Sequence, residues 1–170
     1  MRFFTAIFPD GKVSAALREE RQRLLAKPAG RPSNEFHLTL HFLGELNGQT
    51  AQRAAAAVSR LEWKRFEIEV NGISIFPETG IVFASIGKGS VELSALREAE
   101  ARSLSANGII VKEERRYHPH ITLAKKNSSI LPSEKAGSVG TFTAESLSLM
   151  SSAPGVGRHL HAEVLKVQFR

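Results

Sequence analysis

The sequence predicts a mixed fold of strands and helices arranged as two similar lobes whose sheets face a shared cleft. Three observations predict it. Short segments of strand composition are punctuated by turn residues, two long segments carry helical apolar periodicity, and a strand–helix–strand unit ending in His-x-Thr occurs twice.

Arg2 to Phe8 has strand composition, and Pro9-Asp10-Gly11 ends it. Lys12 to Lys27 reads as an amphipathic helix, with Val13, Ala16, Leu17, Leu24 and Leu25 forming a stripe beside Arg18, Glu19, Arg21 and Arg23. Pro28 to Asn34 is a loop. Phe36 to Leu43 alternates as a strand that Gly44 closes, and the Ala-rich stretch Asn47 to Leu61 is helical. Phe66 to Phe76 and Ile81 to Ile86 are strands joined by a turn at Pro77-Glu78-Thr79-Gly80. Val91 to Ser105 is a second amphipathic helix, stopped near Asn107-Gly108. Ile109 to Lys112 suits a short strand and His118 to Lys125 a longer one. Asn127 to Gly140 is a loop-rich connection, and Thr141 to Met150 and His159 to Phe169 finish the chain as strands.

Phe3 to Phe8, a helix, then His37-Leu38-Thr39-Leu40 make one unit. Ile81 to Ile86, a helix, then His120-Ile121-Thr122-Leu123 make another at a similar spacing. This repeat is the source of the expected two lobes and of a pseudo-twofold axis between them.

A chain of 170 residues fits one domain, residues 1–170, burying roughly 68–70% of the surface its unfolded form exposes. With 42% hydrophobic and 24% charged residues, its composition is that of an ordinary globular protein. There is no cysteine, which excludes disulfides, thiolate chemistry and cysteine-bound zinc. The apolar stretch at Met1 to Pro9 is too short for a signal peptide, and no run approaches the roughly 18–20 apolar residues of a membrane span. A cytoplasmic location is the resulting expectation, and a monomer is the simplest oligomeric state. The 23 basic against 17 acidic residues leave a charge of +6, which favours anionic partners such as RNA, nucleotides or phosphate esters. The same charge serves solubility, so it does not decide between these partners and none.

Alternation along a strand sets His37, Thr39 and His41 on one face and Leu38, Leu40 and Phe42 on the other. In the second motif His118, His120 and Thr122 share a face opposite Ile121 and Leu123. One His-x-Thr is a common accident of strand composition; two, each closing a similar unit, are not. In-line displacement at a phosphodiester requires a base for the entering oxygen and an acid for the leaving one. Imidazole, with an unperturbed pKa of about 6.5, serves either role. A threonine two residues on projects beside its histidine and can donate to a non-bridging phosphate oxygen. These considerations single out His37 and His120 as the acid–base pair and Thr39 and Thr122 as phosphate-binding residues.

Together, Arg2 to Pro9, His37 to Glu45 and Tyr117 to Lys125 resemble the two-histidine phosphoesterase superfamily, defined by paired His-x-Thr motifs. Within it the match is to the RNA 2′,3′-cyclic phosphodiesterase family, historically named 2′–5′ RNA ligase. The resemblance implies a bilobal α+β fold with mainly antiparallel sheets around a central cleft and helices outside. It also implies hydrolysis of RNA or nucleotide 2′,3′-cyclic phosphates to 2′-phosphomonoesters, without metal or cofactor, with reversible 2′–5′ joining of RNA as a companion activity. His37 with Thr39 and His120 with Thr122 carry over as the two pairs. By analogy His37 protonates the leaving oxygen and His120 activates water, although the sequence itself leaves acid and base unassigned. The family often has arginine after the second motif where this chain has Lys125, which keeps the charge but not the planar fork. Lys125 is therefore a candidate phosphate contact, with a solvated strand-end lysine as the alternative.

His41 and His118 share faces with the candidate pair and are possible cleft residues. His159 and His161 lack a threonine two residues on and read as strand residues near the C-terminus. No Asp lies near either motif, and Glu45 falls past Gly44, so a metal site is the weaker reading. Phe8, Phe42 and Tyr117 are candidates for stacking on a base, with Phe42 assigned to the core by alternation. Two rival functions use the same features: cleavage of 2′–5′ linked oligonucleotides, and a non-catalytic nucleotide- or RNA-binding module.

Overall fold

Local sequence sets where the helices begin. The Asp10 carboxylate accepts the Val13 N–H at 2.8 Å and the Asn47 side chain accepts that of Thr50 at 2.8 Å, each capping the start of a helix. The computed structural model describes residues 1–24, 36–111, 116–125, 137–155 and 158–170. Its elements are β1 (Arg2–Ile7), α1 (Gly11–Leu24), β2 (Leu38–Glu45), α2 (Gly48–Ser59), β3 (Phe66–Phe76), β4 (Ile81–Ile86), α3 (Ser90–Ala106), β5 (His120–Lys125), β6 (Gly140–Ala144), β7 (Ser146–Gly155) and β8 (Arg158–Gln168).

Strands β3 and β4 have the expected bounds. The expected strand Thr141 to Met150 is divided at Glu145, so that its first part pairs with β3 and its second with β1. Ile109 to Val111 is not a strand, and Lys112 lies outside the described residues. The end of the first helix beyond Leu24 and the loop expected at Pro28 to Asn34 also lie outside them, as does most of Asn127 to Gly140. Gly44 does not close β2 but sits inside it, at φ 72°, a left-handed conformation that favours glycine.

Among the described residues all pairings are antiparallel, and the strands form one eight-stranded sheet in the order β6-β3-β4-β5-β2-β1-β7-β8. Two separate sheets were expected. The hydrogen-bonded ladder instead continues from β2 to β5 through the pair Leu38↔Ile121. Both side chains are fully buried, and burial of each contributes roughly 1.5–3 kcal/mol. Apolar packing therefore holds this narrow join where backbone pairing is sparse.

The two faces of β1 show how the sheet divides its surroundings. Ile7 packs in one core with Val13 and Leu17 of α1, Val58 of α2 and Leu93 and Leu96 of α3. Phe4 and Ala6, on the alternate face, form a small cluster with Met150, against which Phe8 rests. The helices thus cover one face and leave the other for a site. Among the described residues, no helix is long and apolar enough to cross a membrane.

Candidate active site

The four motif residues flank the join between β2 and β5. Leu38 and Ile121 point into the core, so His37, Thr39, His120 and Thr122 take the open face. Antiparallel register carried one residue each way from Leu38↔Ile121 turns Thr39 towards His120 and His37 towards Thr122. The motifs lie on adjacent central strands, not on opposing walls.

A β-bulge follows each motif. Ala6 pairs with Thr39 while Thr5 pairs with His41, which makes Leu40 the extra residue; Phe83 pairs with Thr122 while Val82 pairs with Ala124, which makes Leu123 extra. A bulge puts two residues of one strand against one of its partner and breaks alternation. Two expectations are corrected as a result. His41 is not a cleft residue: it turns with Leu40 into the core, where Nδ1 meets Glu100 Oε2 of α3 at 2.8 Å. Phe42 is not a core residue: it is 74% exposed and borders the open face. The Lys125 backbone pairs with Ile81 at the end of β5, and its side chain lies outside the described part.

The His120 ring is held by aromatic edges and one backbone group. Phe76 and Phe83 stack on each other at 4.0 Å, and each meets the His120 ring in a T-shaped contact, at 5.1 and 5.4 Å. Burial in this apolar surround lowers the His120 pKa below its ordinary value; the carbonyl of His118 opposes that shift and the nearby His118 ring adds to it. Nδ1 lies 2.7 Å from the His118 carbonyl oxygen, so Nδ1 carries the proton and Nε2 keeps its lone pair. A neutral imidazole in this tautomer is suited to accept a proton. His118 is exposed and packs on the same two phenylalanines, which makes it a support for His120 at the cleft edge.

His37 sits among rings too, with Phe4 at 5.2 Å, Phe8 at 5.9 Å and His161 at 5.8 Å. Phe8 is thus a neighbour of His37. His161 is on β8, as its strand composition predicts, and yet belongs to this neighbourhood because β8 lies beside β7, next to β1. Its lack of a threonine partner concealed it in the sequence.

Two cavities adjoin the motif residues and share Phe42. One, of about 450 Å³, is lined by Thr39, His120 and Thr122 together with Arg97, Arg116 and Tyr117. The other, of about 400 Å³, is lined by His37, Phe4, Phe42, Ser152 and His161. Arg97 lies over the Tyr117 ring at 4.7 Å and its Nε donates to the Leu40 carbonyl at 3.1 Å, while the Tyr117 hydroxyl donates to the Thr39 carbonyl at 3.2 Å. Burial raises the Tyr117 pKa well above the usual range, so the phenol stays a donor at any working pH. With one ring face under Arg97, Tyr117 positions β2 and is poorly placed to stack on a base. Neither arginine was visible as a site residue in the sequence, because α3 and the segment before β5 carry no motif. Among the described residues, no group of three or more His, Asp or Glu side chains is arranged to hold a metal ion.

A family model for the 2′-5′ RNA ligase superfamily matches residues 9–155. The chain belongs to this superfamily. Similar curated proteins include an RNA 2′,3′-cyclic phosphodiesterase of Aeropyrum pernix, 34% identical over 101 residues, a match that spans 57% of this chain and only 57% of that protein's length. Another, from Escherichia coli, is 24% identical over 162 residues, covering 92% of this chain and 90% of that one. The crystal structure of E. coli LigT in apo form has the same fold, superposing with a TM-score of 0.83 at 21% identity over 99% of this chain and 96% of that one.

Proposed function

We propose that the chain hydrolyses RNA 2′,3′-cyclic phosphates to 2′-phosphomonoesters by acid–base catalysis between His120 and His37. The observation that carries this reading is the pairing of the motifs about Leu38↔Ile121, which sets two imidazoles and two threonines on one open face. The curated relatives named as RNA 2′,3′-cyclic phosphodiesterases support the substrate class.

In this mechanism the cyclic phosphate sits over the four side chains, its non-bridging oxygens accepting from the Thr39 and Thr122 hydroxyls. His120 Nε2 takes a proton from water as the water oxygen bonds to phosphorus. The bond from phosphorus to the 3′-oxygen breaks, and protonated His37 delivers a proton to that oxygen. The product keeps its phosphate on the 2′-oxygen, and solvent exchange restores both imidazoles. A ribose 5′-hydroxyl in place of water would give a 2′–5′ linkage through the same steps. Arg97 and Arg116 supply positive charge on the His120 side, and Lys125 is assigned to the same role. The two similar motif strands, each followed by a bulge, act as the central strands of two lobes related by a pseudo-twofold axis within one domain. A cytoplasmic location and a monomeric state belong to the same reading.

Purified protein incubated with EDTA and a nucleoside 2′,3′-cyclic phosphate should yield the 2′-monoester alone, identified by phosphorus NMR. Absence of turnover, or formation of the 3′-monoester, would contradict the proposal; binding without turnover would favour a binding module. Preferential cleavage of 2′–5′ linked oligoadenylate would favour the oligonucleotide phosphodiesterase.

The lowered His120 pKa fixes the sign of one limb of the pH profile. A base must be neutral, and burial keeps His120 neutral to lower pH than an ordinary imidazole. The limb of kcat/KM that falls towards low pH should therefore have its midpoint below 6.5. A low-pH limb with its midpoint at or above 6.5 would contradict His120 as the base.

A further inference from the structure

We infer that the cavity beside His37 binds the nucleobase of the terminal nucleotide, with Phe42 and Phe4 as its apolar wall and His161 as the residue that reads the base edge. The inference rests on the proposed cyclic-phosphate substrate and extends it to base selection.

The cavities on either side of Phe42 differ in chemistry. The His120 side carries Arg97 and Arg116 and suits phosphate. The His37 side has an aromatic floor. Phe42 is the direct cross-strand partner of Phe4, which in turn faces Met150 across the next pair. The Phe42 and Phe4 rings stand 6.3 Å apart at 40°, and Phe42 leaves most of its surface open. Exposure of a large ring beside a catalytic imidazole has no packing explanation, whereas a planar base would cover it.

The polar rim of this cavity is built by register. Ser152 pairs with Arg2 on one side and with His161 on the other, two residues along from the Phe4–Met150 pair and so on the same face. The His161 ring meets Phe4 edge-on at 5.1 Å and 88°, which holds it at the rim. A ring nitrogen there can donate to or accept from the edge of a base, and purines and pyrimidines differ in the groups they present to it. A volume of about 400 Å³ admits one base and its ribose while His37 remains at the phosphate.

The test measures kcat/KM for the adenosine, guanosine, cytidine and uridine 2′,3′-cyclic phosphates. Wild type should discriminate among them, and His161→Ala should compress the spread about fivefold, the effect of one hydrogen bond. His161→Gln, which keeps a hydrogen-bonding group at the rim but replaces imidazole with a carboxamide, should change the order of preference. Phe42→Ala should raise KM for all four substrates roughly tenfold. Equal turnover of all four by wild type, a spread within twofold of wild type in both His161 variants, or an unchanged KM in Phe42→Ala would overturn the inference while leaving the phosphodiesterase reading intact. Turnover of none by wild type would overturn both.

Discussion

Replacing either His37 or His120 with alanine should lower kcat/KM on a 2′,3′-cyclic phosphate by roughly 10²–10⁴. Each imidazole serves a different oxygen of one displacement, so loss of either leaves one proton without a carrier. The double variant should fall little further than the worse single one, because two groups acting in one transition state are not additive. Thr39→Val and Thr122→Val remove a donor to the phosphate but no proton carrier, and should cost less than either histidine. All four side chains lie on the open face flanking Leu38 and Ile121, which remain in the core. Thermal midpoints close to wild type should therefore accompany the loss of activity. Rates within tenfold of wild type in both histidine variants would exclude them as the acid–base pair.

The identity of the motif strands was legible because His-x-Thr repeats and because alternation holds from Leu38 to Leu40 and from Ile121 to Leu123. It fails one residue later, at the bulges. Pairing with β1 and β4, through Thr5, Ala6, Val82 and Phe83, creates those bulges, and residues 36–43 alone carry no trace of it. His41 and Phe42 consequently exchange the faces that a period of two assigns them. The continuous sheet was hidden for a related reason. Two similar units suggest two sheets, and only the long-range pair Leu38↔Ile121 joins them. Arg97 and His161 reach the site from α3 and β8, elements that reveal their position only when the sheet order is known. The sequence therefore discloses the reacting groups more readily than the residues that surround and select the substrate.

The bulge at Leu40 also creates the structure's most vulnerable polar contact. It turns His41 beneath the sheet against Glu100, both side chains entirely buried, with Nδ1 and Oε2 at 2.8 Å. Among the described residues His41 Nε2 and Glu100 Oε1 have no hydrogen-bonding partner, so there each side chain has the other as its compensating contact. His41→Ala or Glu100→Ala should destabilise the fold by roughly 3–5 kcal/mol, because the survivor is left buried and unpaired. In a domain of this size that corresponds to a fall in Tm on the order of 6–20 °C. Replacing both with leucine removes the two unsatisfied atoms along with the pair, and such exchanges range from neutral to stabilising by about 1–4 kcal/mol. A double-mutant cycle by urea denaturation separates these cases. Single variants within 1 kcal/mol of wild type would show that the surviving group finds another partner or water. The consequence extends to the site, because Arg97, one turn from Glu100 on α3, donates to the Leu40 carbonyl while Tyr117 holds that of Thr39. The pair anchors the helix that grips the bulge. Loosening it should reduce kcat through the position of Thr39 even at temperatures where the protein remains folded.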